Sequence, residues 1–157
     1  MTITAMTILE RCKAAERELR LLGERAARYR DASQRMTSTL DGVGSRATGE
    51  SDRMAAMVAE IDDLERRTVT RNREYRAEVA AACKLLDMLP SVEGSILSRF
   101  YVRKQPLKAI AVELGYSYGY VRSCKADGCA RLESVPEGMI LDLLPPWYID
   151  EEEKRQR

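Results

Sequence analysis

The sequence contains no histidine. That removes the commonest metal ligand and the side chain that most often acts as general acid or base near neutral pH. Cysteine is sparse, and Cys12, Cys83, Cys124 and Cys129 include no C-x-x-C pair. A structural zinc would need all four to converge from three distant segments. Their expected role is as small apolar residues in a reducing compartment. No Gly-rich phosphate loop and no spacing of a nucleophile with a base is present, and the acids are distributed as helix surface. Neither an enzyme, a cofactor nor a metal site is expected. Long apolar runs are also missing, since a bilayer-spanning helix needs roughly 20 such residues. The opening "MTITAMTILERCK" lacks the basic segment and continuous apolar stretch of a signal peptide. The expectation is a cytoplasmic chain without membrane contact.

Proline is absent from the first 89 residues, all five lying at or beyond Pro90. Nothing there interrupts long helices. With 157 residues, 45% hydrophobic and 32% charged, the chain suits one domain or a small domain with a helical extension. Ile8, Cys12, Ala15, Leu19, Leu22, Ala26 and Tyr29 recur with spacing 4-3-4-3-4-3, a heptad seam that asks for a helical partner. Residues 37–52 hold Gly42, Gly44 and Gly49 among Ser, Thr and Asp and read as a loop. Ser51 or Asp52 would cap a second helix. Its seam runs through Met54, Met57, Ile61, Leu64 and Thr68, then restarts at Asn72, Tyr75, Val79, Ala82, Leu86 and Leu89. The step from Thr68 to Asn72 reads as a stutter.

The predicted fold is therefore all-α, with a long antiparallel, coiled-coil-like hairpin over residues 1–89. A lone two-helix hairpin buries little, so it should pack on the C-terminal part or form a homo-oligomer, a dimer being favoured. Pro90 stops the second helix, and shorter apolar segments follow. Residues 66–76 hold five arginines and one acid, either a solvated face or a phosphate- or partner-contacting stripe.

Charge is uneven under a net +1. Residues 91–132 carry seven Lys/Arg and three acids, whereas residues 133–157 carry three and seven. A basic module is followed by an acidic tail. In that tail Met139, Ile140, Leu143, Leu144 and Trp147 suit either a short helix capping the core or an arm for another protein anchored by Trp147.

Between Leu107 and Cys124 the pattern is sterically demanding. Ile110, Ala111 and Leu114 give one apolar face, Gly115 follows, and Val121 and Cys124 give the inward face of another helix. This is the spacing of a helix-turn-helix. Ala111 allows close crossing of the helices, and Gly115 supplies a positive φ. Ser117 caps the second helix, and Val121 plugs it onto the first. Tyr116 should point into the small core, while Tyr118 and Tyr120 should face outward.

With its flanks, "LPSVEGSILSRFYVRKQPLKAIAVELGYSYGYVRSCKADGCARL" resembles region 4 of sigma-70-type factors over 44 residues. The order of segments and "LGYS" at the turn resemble phage-encoded ArpU and RinA-type transcriptional regulators. That resemblance implies a helix-turn-helix domain at 90–133, a tail at 134–157 and a location in the cytoplasm of a bacterial host. It also implies sequence-specific binding of double-stranded DNA, activation of late phage genes and contact with RNA polymerase. The helix over 117–132 would enter the major groove. Ser117, Tyr118, Gly119, Tyr120, Arg122, Ser123 and Lys125 would lie on it, with Arg103, Lys104 and Lys108 on the phosphates. The sequence departs from sigma factors where Tyr118 and Gly119 replace a common Arg and Glu, and Ser123 a frequent Gln, so their promoter specificity does not transfer. Two other classes fit less well: a phage small terminase subunit, which more often puts its DNA-binding module first, and a helical interaction module without DNA binding.

Overall fold

A computed structural model describes residues 2–40 and 47–157, and every regular element among them is helical. Helix α1 spans Ala5–Leu40 and α2 spans Ala47–Asp87. They are followed by α3 (Ser91–Leu97), α4 (Leu107–Leu114), α5 (Tyr118–Glu133), α6 (Glu137–Leu143) and α7 (Pro146–Gln156). Among the described residues no helix is long and apolar enough to cross a membrane.

The linker expected over 37–52 is narrower than its composition suggests. Residues 37–40 end α1 and residues 47–52 begin α2, so Ser51 and Asp52 are helical rather than caps. Gly42 and Gly44 lie outside the described residues.

The described residues group into two compact units, Met1–Ala15 with Glu74–Arg157, and Glu16–Arg73. The boundary expected at Pro90 therefore divides the chain but not its packing. Among the described residues of the Glu16–Arg73 unit, Ala26 and Leu64 alone are buried. Leu19, Leu22, Tyr29, Met57, Ile61 and Thr68 are half-buried on the predicted seams. Ion pairs join the two helices, Arg30 with Glu65 and Arg71 with Glu18 at 2.5 Å.

The stutter expected at Asn72 is not used: Asn72 is exposed and Arg71 is half-buried. Including Arg71 and buried Glu78 gives Leu64, Thr68, Arg71, Tyr75, Glu78, Ala82, Leu85 and Leu89, an unbroken 4-3 spacing. The seam was hidden because two of its positions carry charge, and each is matched by a partner. Glu18 holds Arg71, and the Tyr148 hydroxyl donates to Glu78 at 2.8 Å. The arginine stripe is largely neutralised too. Arg66 pairs with Asp62 at 2.5 Å and Arg67 lies 3.8 Å from Asp63.

The other unit has two apolar cores. The larger takes Ile3 from the segment just before α1, Ile8, Leu9 and Cys12 from α1, and Ala81, Ala82, Leu85 and Leu86 from α2. Leu97, Tyr101, Leu132, Ile140, Leu144 and Tyr148 complete it from the C-terminal helices. Glycines permit two close crossings. A Cβ on Gly128 of α5 would stand 2.8 Å from Leu97 Cδ1, and one on Gly94 of α3 would stand 2.9 Å from the Leu86 carbonyl oxygen. The C-terminal residues belong to this core, since Ile140, Leu144 and Tyr148 are buried and Trp147 packs beside them.

Helix α7 is fixed by a charged network. Arg11 donates to Glu152 at 2.7 and 3.1 Å and to the Tyr148 hydroxyl at 2.7 Å. Arg155 pairs with Glu74. Burial alone would lower the Arg11 pKa, but its hydrogen bonds to Glu152 and Tyr148 outweigh that and raise it. The same hydrogen bond from Arg11 holds Glu152 below the ordinary carboxylate value against the effect of burial.

Candidate nucleic-acid interface

The smaller core lies where α3, α4 and α5 meet. Ile96, Ile110, Ala111, Val121 and Cys124 are buried there, with Val92, Phe100, Leu107 and Leu114 packed around them. The connection from α4 to α5 is short for a definite reason. Gly115 adopts φ 71° and ψ 28°, the left-handed region, where an L side chain would cost roughly 1–2 kcal/mol. In that conformation its N–H bonds to the Val112 carbonyl at 3.3 Å, and the Tyr116 N–H to that of Ala111 at 3.0 Å. Two of the four orphan carbonyls at the end of α4 are thereby satisfied. Ser117 then caps α5, its Oγ accepting from the Tyr120 N–H at 3.2 Å.

Beyond the cap, Tyr118, Gly119, Tyr120, Arg122 and Ser123 are all exposed, and a Cβ on Gly119 would meet nothing within 4 Å. Arg122 lies over the Tyr118 ring at 5.7 Å. Tyr116, expected in the small core, is instead 41% exposed. Its ring packs edge-on against Tyr120, with centroids 5.0 Å apart. The left-handed turn directs residue 116 away from the helices, and the Ile110 and Val121 side chains already fill the core it was expected to enter. The Tyr120 phenol interacts with Cys124, and that hydrogen bond leads the causes that raise its pKa.

The basic residues separate into two groups. Arg103 and Lys108 are exposed. Lys104 and Lys125 are half-buried and turned onto aromatic rings. A π-helical turn over Ser98–Val102 continues α3 and is closed by the Arg103 N–H on the Ser98 carbonyl at 3.1 Å. It leads to Lys104 at φ 59°, whose Nζ donates to the Tyr75 hydroxyl at 3.3 Å and lies 4.9 Å from that ring. Lys104 is thus tied to α2 rather than extended toward a ligand. Lys125 Nζ lies 4.7 Å from the centroid of Phe100, and Lys13 Nζ of α1 lies 3.6 Å from the same centroid. Lys13 was not among the sequence candidates, because nothing in a heptad pattern says which exposed lysine will meet a residue far along the chain.

Cys12 and Cys124 are buried, Cys129 half-buried and Cys83 exposed, all as free thiols. Among the described residues no three His, Cys, Asp or Glu side chains cluster as metal ligands. No protein-family model matches the chain, and no curated protein or solved structure matches it.

Proposed function

We propose that α4, the Gly115 turn and α5 form a helix-turn-helix, and that the protein is a sequence-specific DNA-binding regulator of the phage or prophage type. One observation carries this proposal. The first turns of α5 are capped, rigidly joined to α4, and present Tyr118, Gly119, Arg122 and Ser123 with no protein over them. An N-terminal helix end with exposed polar and aromatic side chains has the form of a major-groove reader.

In this proposal Arg122 reads a guanine edge with its guanidinium, and Tyr118 steadies that guanidinium from below. Gly119 lets the helix backbone approach the bases. Arg103 and Lys108 contact phosphates and set the docking angle. The ion pairs between α1 and α2 fit an antiparallel hairpin. The sparse burial in Glu16–Arg73 suits a surface completed by a second copy, which would place two reading heads on paired half-sites. A second copy matters because non-specific binding by one small module is weak, on the order of 10⁻⁴–10⁻⁶ M. Activation of transcription through RNA polymerase is the role we assign.

Selection from a random-sequence duplex pool tests this function. The full chain is expected to enrich a shared motif, and Arg122→Ala is expected to lose roughly 1–3 kcal/mol of discrimination at a guanine within it. The helical circular-dichroism signal should not change. A pool that stays random with the full chain overturns the proposal, and unchanged selectivity in Arg122→Ala removes that residue from the reading surface.

A further inference from the structure

The Phe100 ring carries two positive charges. Lys13 Nζ and Lys125 Nζ lie 3.6 and 4.7 Å from its centroid, and neither lysine has a carboxylate partner among the described residues. A ring face attracts one ammonium by about 0.5–1 kcal/mol at an exposed site, but it does not neutralise two. The lysines repel one another. Burial and the charge of Lys125 together lower the pKa of Lys13. Two like charges held together by the fold form a site whose stability improves when an anion enters it.

Its place in the fold says which anion. Lys125 stands seven residues after Tyr118 and three after Arg122, so all three share one face of α5. The cations therefore continue from the exposed start of α5, through Lys125, onto Lys13 of α1. We propose, resting on the DNA-binding function above, that Lys13 and Lys125 grip one phosphate of the DNA backbone beside the groove that α5 enters. Lysine suits this role as a compact point charge, and the Phe100 ring holds both ammonium groups beside it before the ligand arrives. The first helix thus contributes directly to the DNA surface and does not serve assembly alone.

The test uses the full chain, a short fluorescein-labelled duplex, and anisotropy titrations over a range of salt concentrations. Lys13→Gln is expected to weaken binding several-fold and to reduce the slope of log K against log salt by about one. Lys125→Gln should do the same, and the double variant should reduce the slope by about two. Lys13→Arg, which keeps the charge, should retain the parental slope. A parental slope in Lys13→Gln, with binding otherwise intact, overturns this site and leaves the proposed function standing. Failure of the parental chain to bind any duplex overturns both.

Discussion

A fragment beginning at Pro90, although it holds the whole α3–α7 segment, is expected not to fold. Its larger core is completed by side chains that lie outside it. Ile3 precedes α1, Ile8 and Leu9 belong to α1, and Leu85 and Leu86 to α2, each 5% exposed or less. Full burial of one such side chain contributes about 1.5–3 kcal/mol, so the five together contribute roughly 7–15 kcal/mol. That matches the whole stability of an ordinary domain, about 5–15 kcal/mol. Without them Leu97, Tyr101, Ile140 and Tyr148 would face water. The fragment should show no cooperative thermal transition. A chain in which Gly-Ser residues replace 16–73, joining Ala15 to Glu74, retains both cores and should melt cooperatively. A cooperative melt of the 90–157 fragment would show that the residues from α1 and α2 are dispensable for the unit.

The second large effect concerns the charges under α7. Arg11→Ala leaves Glu152, 6% exposed, without its strongest partner and takes a donor from the Tyr148 hydroxyl. Removing one member of a buried pair costs about 3–5 kcal/mol. Arg11 keeps 29% of its side chain exposed and Arg155 lies 3.6 Å from Glu152, so about 2–3 kcal/mol is expected here. For a chain of this size that lowers the melting temperature by roughly 5–10 °C. Combining Arg11→Met with Glu152→Gln should recover much of the loss, because no unpaired charge remains buried.

The pH dependence follows from the same groups. The folded pKa of Glu152 is below its ordinary 4.5, so its contribution is complete above that value and is lost as pH falls through the folded pKa. The Tyr148 pKa is raised above its ordinary 10.0 by burial and then by Glu78, so the stability it lends is present below pH 10 and declines as pH rises further. Thermal melts across pH should therefore show the gap between the parental chain and Arg11→Ala closing in acid. A gap that stays constant below pH 4 would mean that the Arg11–Glu152 pair is not its source.

What could be read in advance follows from the kind of signal each feature leaves. The first seam was legible because Ile8, Cys12, Ala15 and Ala26 are apolar or small at helical spacing, and all four are buried. The second lost its register at Asn72 because Arg71 and Glu78 occupy seam positions, and a hydrophobic pattern does not register charged residues whose burial depends on partners such as Glu18 and Tyr148. The left-handed Gly115, the Ser117 cap and the inward Val121 were legible because local sterics dictate them. Tyr116 was misplaced because the direction of a side chain after a left-handed residue depends on three-dimensional crowding. The Glu78–Tyr148–Arg11–Glu152 network and the Lys13–Phe100–Lys125 site were not legible at all. Their members come from opposite ends of the chain, and only the packed helices bring them together.

Amide chemical-shift mapping of the full chain titrated with a selected duplex tests the central claim most directly. The largest changes are expected at Ser117–Ser123, with smaller ones near Arg103, Lys108 and Lys125. Binding that leaves the start of α5 unperturbed, with the changes confined to α2 around Arg73 and Arg76, would contradict the assignment of α5 as the helix that meets DNA.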